Sequence, residues 1–429
     1  MATTLFLIFI SFLLLQMPVS FCLAISTVLA MYVASDIDTI AIVLKLFRAS
    51  GNYHLIAVPF FILAGGFMES GGISRRLVNF ASNLIGHVRG GLANASVGAA
   101  MFFAGISGAA AADTAAVGSL LIPAMKRKGY GSDIATSVMA TAGSIGIIIP
   151  PSIPMIILGV TASVSIGGLF MGGVIPGIMM GCALMVVNFI YCKVRNIEPE
   201  PRVPMMQLIR SFADSILAII TVVIIVGGIV GGIFTATEAS VVAAIYAFIV
   251  GFFVYKELTL KDLPGIFVKS SVTTGVVVFT VAAASGFGWI LTAENIPVMI
   301  AEFVISLSDQ KWVIMMMLNA LFLVMGTFLD PPAIIIIIVP IVWPIIMKLG
   351  IDPIHFGIAM IVNMAIGQCT PPVGIALFVA SGISGISLNE VLACYWKYLF
   401  AMVIVLLLVI FFPFFSTWLP TMAGYIQTY

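Results

Sequence analysis

The sequence predicts an all-α polytopic membrane protein made of two inverted structural repeats, each carrying a helix that breaks inside the apolar layer. Three observations point there. The 429 residues are 62% hydrophobic and only 8% charged, with a mean hydropathy of +1.24, whereas a soluble domain carries about 25% charged residues. Apolar stretches of membrane-spanning length recur along the chain. A shift of the sequence by 221 residues superposes glycines and prolines, the residues that interrupt helices.

This composition excludes a soluble enzyme, a nucleic-acid binder and a secreted module. The net charge of +1, without a long basic run, leaves no polyanionic partner. Cys22, Cys182, Cys192, Cys369 and Cys394 are scattered, with no CxxC and no Cys/His cluster, and read as small apolar fillers rather than metal or redox ligands. No Lys follows a Gly anywhere, so no nucleotide-binding GxxxxGK[ST] loop exists. HExxH, GxSxG and paired acids are also missing, so no enzyme is expected, and a membrane enzyme acting on lipid-linked substrates lacks its cluster. Loops are short, so any soluble function must come from another chain.

Taken in order, residues 3–33 hold one long or two short passes, with Pro18 as the break. The first 24 residues lack a basic start and an A-x-A site, and read as a retained helix rather than a removed signal. Residues 36–53 mix Asp36, Asp38, Lys45 and Arg48 with apolar residues, as in a helix lying along the interface. Later spans fall at 134–162, 169–192, 213–234, 238–255, 270–292, 356–386 and 395–418. Lys and Arg cluster in 45–89, 126–128, 193–210 and 256–269, and the positive-inside rule puts all four clusters in the cytoplasm. The chain must then leave and return to one side between 89 and 126, which predicts a tight hairpin. Beyond 269 the Lys-poor loops suit the opposite face.

The 221-residue shift brings Gly105 onto Gly326, Pro123 onto Pro344 and Ile145-Gly146 onto Ile366-Gly367. It also brings Pro150-Pro151 onto Pro371-Pro372. Since the charge map puts the two hairpin regions on opposite faces, the repeat is inverted. Inverted repeats with broken helices are the mark of secondary transporters, which bind substrate and ions near the midplane.

Four segments interrupt helix: 102–118, 142–154, 324–333 and 364–374. Proline removes a backbone donor and glycine lowers the cost of unwinding. A carbonyl freed in a membrane needs water, a side chain or a cation, and sodium suits a cage of carbonyls and hydroxyls. A structural kink is the bland alternative, which the repetition of the Pro-Pro pair at matching positions disfavours. Polar candidates are Ser107, Thr114, Ser144 and Ser152 in the first half, and Thr327, Gln368 and Thr370 in the second. Asp113 and Asp330 are the embedded acids, with ligand contact or helix capping both open for Asp330. Glu238, after Thr235 and Thr237, reads as a cap. His54, His87 and His355 read as interfacial.

The stretches FFAGISGAAAADTAAVGSLLIPAM, GSIGIIIPPS and GQCTPPVG carry a resemblance that extends over essentially the whole chain. It resembles the large membrane subunit (DctM/SiaM type) of TRAP, tripartite ATP-independent periplasmic, transporters, in their sialic-acid branch. The resemblance implies the ion transporter superfamily: two re-entrant hairpins and two unwound helices in a transport domain that slides in an elevator motion.

It divides the chain into 1–89 (N-terminal scaffold and interfacial arm), 90–168 (first core half, hairpin 90–125, broken helix 134–162) and 169–311 (scaffold and second arm). The remainder is 312–386 (second core half, hairpin 312–347, broken helix 356–386) and 387–429 (C-terminal scaffold helix). It implies a small Q-type membrane subunit, a P-type periplasmic binding protein, a bacterial inner-membrane location, and sodium as coupling ion with no other cofactor or metal.

Carried over, one sodium site uses Ser107, Gly146, Ile149 and Pro151, and the other Gly326, Met364, Gly367 and Thr370. Substrate contacts fall on Ser107, Ser152 and Asp330. The expected activity is sodium-coupled import of an organic acid, sialic acid (N-acetylneuraminate). The rivals are a C4-dicarboxylate or another sugar acid, or a stand-alone carrier of the same superfamily.

Overall fold

A computed structural model describes residues 1–15, 17–34, 40–197, 201–308 and 310–426. Their regular structure is helical, and seven of the described helices are long and apolar enough to cross a membrane. The chain is a multi-pass membrane protein.

Pro18 divides the N-terminal stretch into two helices, α1 (Ala2–Leu14) and α2 (Val19–Ala34), packed on each other. The two-segment alternative is therefore the one adopted. In α3 (Ile40–Ser50), Val43, Leu44 and Phe47 are exposed and Ile42 is buried, as an interfacial helix requires. Asp36 and Asp38, also expected there, lie outside the described residues. A 3₁₀ turn, Tyr53–Ile56, leads into α4 (Ala57–Ser70), a further span beyond those expected from the sequence. The amphipathic α5 (Ile73–Ile85) follows.

The expected first hairpin is formed by α6 (Gly91–Ser107) and α7 (Ala110–Arg127). Its tip turns at Gly108, whose φ of 64° is the left-handed conformation that glycine adopts without a steric penalty. The first broken helix is α8 (Ser132–Ser144), a 3₁₀ turn Ile145–Ile147, and α9 (Ile153–Ala162). Next come α10 (Ile166–Val194), α11 (Met205–Val222) extended through a π turn to α12 (Gly228–Val230), α13 (Ala236–Ile249), α14 (Leu263–Ala293) and α15 (Ile296–Leu307).

The second hairpin is α16 (Lys311–Gly326) with α17 (Pro331–Lys348), and the second broken helix is α18 (Pro353–Gly367) with α19 (Ile375–Ser384). The chain closes with α20 (Leu388–Phe411) and α21 (Phe414–Met422).

The repeat holds at the level of element boundaries. α7 and α17 begin at Ala110 and Pro331 and end at Arg127 and Lys348, while α8 and α18 begin at Ser132 and Pro353. Each pair is separated by the same 221 residues. Both breaks contain a cis bond between their two prolines. Under the shift α4 corresponds to the second half of α14, and these two helices run antiparallel. Gly66, late in α4, meets Ile266, early in α14, while Pro59 shares a crevice with Val278. The halves are thus inverted and interlocked: α9 packs on α17, and α19 on α7.

The 45–89 charge cluster does not lie on one face. Gly71, after α4, packs against Gly251, beyond the end of α13, where a β-carbon on Gly71 would come within 2.9 Å of the Gly251 Cα. At the other end of α4, Asn52 and His54 line a cavity with Thr235 and Ala236, at the start of α13. The crossing α4 therefore separates Lys45 and Arg48 from Arg75 and Arg76. The positive-inside rule is a bias summed over loops, and two cations on an interfacial helix do not decide it.

α10 and α20 pack on the broken-helix core. Gly173 admits the Ile148 carbonyl, Tyr398 donates to Asn188 Oδ1 at 2.8 Å, and Tyr395 donates to the Cys369 carbonyl at 2.5 Å. In a helix apolar on every side, composition does not reveal which neighbour it meets. His355 is also buried rather than interfacial, its Nδ1 lying 2.7 Å from Ser416 Oγ. Glu238 does form the expected cap, a reciprocal box with Thr235.

Candidate functional site: two hairpin tips on two helix breaks

At the first break, Pro150 and Pro151 have no N–H, so the carbonyls of Gly146 and Ile147 lose their donors four residues on. The Ser152 hydroxyl donates to the Ile147 carbonyl at 2.6 Å and accepts from Met155 N at 3.3 Å, capping α9. Gly108 of the hairpin tip rests on this break. Its carbonyl accepts from Ile153 N at 3.3 Å, and a β-carbon there would lie 2.6 Å from the Pro151 carbonyl oxygen.

Behind the tip, Ser107 donates to Asp113 Oδ1, and its oxygen accepts from Ala109 N at 3.2 Å. Asp113 has no exposed surface. Its second oxygen, Oδ2, has no partner and occupies the space that a β-carbon on Gly146 would fill. Thr114 sits likewise against Gly143.

The second break is re-satisfied differently. Thr370 N donates to the Gly367 carbonyl at 2.9 Å and Ala376 N to the Gln368 carbonyl at 3.1 Å. The Thr370 hydroxyl donates to the Ile366 carbonyl at 2.8 Å, and the Thr327 hydroxyl to Val324 at 2.7 Å. Gly326 at the end of α16 lies on Gly367, beside the buried Met364. One turn below, the Asn363 side chain donates to the Asn319 carbonyl at 2.7 Å and ties α18 to α16.

The predicted residues therefore fall into two groups. Ser107, Gly146, Ile149, Pro151 and Ser152 converge at the first tip and break; Gly326, Met364, Gly367 and Thr370 converge at the second. Asp330 occupies the cap position of α17, is exposed, and makes no side-chain cap bond. The sequence marks Asp113 as an embedded acid outside both expected ligand sets, and its contact with Gly146 is visible only in three dimensions.

Ser107 opens onto a cavity of 490 Å³ between the first hairpin and helices α4 and α14. Ser270, Thr273, Lys261 and Lys269 also line it. Lys269 makes a loose, solvent-exposed pair with Glu69, 3.8 Å apart. These lysines lie outside the four interrupted segments, and nothing in the sequence marks them as neighbours of Ser107. Asp330 does not line this cavity. Among the described residues no group of three or more His, Cys, Asp or Glu could hold a metal ion.

Two inverted halves, each closing a hairpin on a broken helix, define a secondary transporter by architecture. Comparison with known proteins narrows this. The family described as "Tripartite ATP-independent periplasmic transporter, DctM component" matches residues 6–415, and the chain belongs to it. It is 41% identical over 402 residues to the C4-dicarboxylate TRAP transporter large permease protein DctM of Pseudomonas aeruginosa, covering 94% of each chain. It is 37% identical over 377 residues to the sialic acid TRAP transporter large permease protein SiaM of Vibrio cholerae, covering 88% of each. In fold it resembles the crystal structure of the Alcanivorax borkumensis YdaH transporter, with a TM-score of 0.55, 15% identity and 98% of each chain covered. The chain is a TRAP large permease and not an enzyme.

Proposed function

We propose that this permease imports an organic acid across the bacterial inner membrane, driven by sodium, with a small Q-type membrane subunit and a periplasmic binding protein as partners. The observation that carries sodium coupling is Asp113: a carboxylate sealed in the membrane layer, one oxygen held by Ser107 and the other unpartnered against Gly146. An unpaired buried acid is costly and functional by default. The Gly146 carbonyl, without a donor from Pro150, adds a second oxygen nearby. A hard, all-oxygen donor set of this kind suits sodium better than a softer metal. Ser107, Gly146, Ile149 and Pro151, joined by Asp113, form the first proposed site; Gly326, Met364, Gly367 and Thr370 form the second.

Substrate is proposed to enter the cavity at Ser107, with Ser152 and Asp330 as the further contacts that the family resemblance suggests. Ser152 is committed to the break in this conformation, and Asp330 would approach only through movement of the second hairpin. The hairpins, the broken helices, α10 and α20 are the proposed moving body; α1–α5 and α11–α15 are the proposed scaffold.

Relatives are named for a C4-dicarboxylate and for sialic acid. The expected sialic acid is therefore assayed beside a dicarboxylate. Both carry a carboxylate, for which Lys261 and Lys269 are the cations of the cavity, offset by Glu69 and Asp262 on the same lining.

The test is uptake of each labelled acid into proteoliposomes holding this chain and its small subunit, with the sodium gradient and the binding protein varied independently. Uptake that needs both supports the proposal. Sodium-driven uptake without a binding protein supports the stand-alone carrier, and uptake indifferent to sodium overturns the coupling.

A further inference from the structure

A polar groove between α5 and α11, on the face that the positive-inside rule assigns to the cytoplasm, belongs to none of the machinery above. Helices α5 and α11 lay their polar stripes side by side: Arg76, Asn79 and Asn83 on one, Gln207, Arg210 and Asp214 on the other. Each set follows the i, i+3, i+7 spacing of one helix face. Together they line a groove of 360 Å³.

Arg76 is fixed before any ligand arrives. It donates to the Gly72 carbonyl at 2.9 Å and to Glu257 at 2.7 Å, and its guanidinium lies 3.6 Å over the Tyr255 ring. Arg210 makes no ion pair among the described residues. Asp214 is the one acid lining the groove, and its main-chain carbonyl is taken by the Tyr255 hydroxyl at 2.7 Å. The groove lining thus presents two guanidinium groups, Arg76 and Arg210, against the single carboxylate of Asp214. On the other side of α11, Met205, Met206 and Ile209 are exposed apolar residues. That face belongs in the bilayer, which sets the groove at headgroup depth.

We propose that this groove binds the headgroup of an anionic phospholipid, with Arg210 as the main ligand and Arg76 as a preset second one. A guanidinium offers a planar fork that matches two phosphate oxygens, which an ammonium does not. The Asn and Gln amides suit the hydroxyls of a glycerol headgroup. Basic pockets between helices on the cytoplasmic side of a membrane recruit such lipids. A free phosphate offers the same oxygens but gains nothing from the apolar face beside the groove, which favours the lipid.

The experiment uses the full chain in nanodiscs. Native mass spectrometry counts phosphatidylglycerol adducts retained from mixed phosphatidylglycerol and phosphatidylcholine, and thermal unfolding is compared between discs of each composition. We expect a retained phosphatidylglycerol and a higher transition temperature with it. Arg210→Ala should weaken retention on the order of tenfold, the scale of one charge-assisted pair. Arg210→Lys should recover only part of this. Arg76→Gln serves as the second variant, although its packing on Tyr255 also contributes to folding. Equal retention in wild type and Arg210→Ala overturns the site. A transition raised by inorganic phosphate in phosphatidylcholine discs, but not by phosphatidylglycerol, overturns the lipid as ligand.

Discussion

Gly367 lies flat against Gly326: a β-carbon on Gly367 would stand 2.7 Å from the Gly326 Cα and 3.1 Å from its carbonyl oxygen. Backbone meets backbone here, so the second hairpin can seat on the second break only if both positions are glycine. Gly367→Ala should lift the hairpin, at about 1–3 kcal/mol for overpacking a tight contact. Thermal unfolding in detergent and uptake in proteoliposomes would both register the loss. An unchanged transition would mean that the hairpin shifts freely.

Asp113→Asn keeps a hydrogen-bonding partner for Ser107 and removes the charge. If the carboxylate holds sodium, half-maximal uptake should need on the order of tenfold more sodium, since one lost charge contact is worth about 1.4 kcal/mol or more. Ser107→Ala and Thr370→Val should weaken sodium activation at their respective sites. Insertion, read by detergent-soluble yield, should stay intact. Normal sodium activation in all three variants would remove the proposed sites.

Asn363→Leu tests the tie between α18 and α16. The amide gives the Asn319 carbonyl a second donor, and such interhelical bonds in a bilayer are worth about 0.6–1.7 kcal/mol. The variant should unfold earlier by that amount. Amide exchange should rise in 316–326 and remain unchanged in the first hairpin.

Asp262 sits outside the membrane at the start of α14, on the rim of the Ser107 cavity. Its carboxylate accepts from the Thr259 hydroxyl at 2.6 Å and from Thr259 N at 2.9 Å, and these bonds lower its pKa below the usual aspartate value. The turn is therefore fully supported above the ordinary aspartate pKa, about 3.9, and loosens as pH falls through the lowered folded value. Amide exchange at Thr259–Asp262, corrected for its intrinsic pH dependence, should lose protection over that window. Asp262→Asn should show no such step.

Helix breaks and their pairing were legible in the sequence because their causes are local. Proline lacks a donor and glycine lacks a β-carbon wherever they stand, so Pro150-Pro151, Pro371-Pro372 and the glycines before them announced both broken helices, the repeat and its register. The Lys/Arg clusters that flank the apolar stretch between 89 and 126 announced the first hairpin. The sequence also identified Ser107 and Thr370 as polar groups beside those breaks.

Other features were settled only by tertiary packing. They include the crossing α4 that separates Lys45 from Arg75, the docking of α10 and α20 on the core, the contact of Asp113 with Gly146, and the lysines that face Ser107. In helices as uniformly apolar as α10 and α20, lipid-facing and core-facing sides have the same composition, so no amphipathic stripe names the neighbour. Backbone punctuation is written residue by residue; which helices meet depends on how small residues such as Gly173 and Gly326 let distant backbones approach.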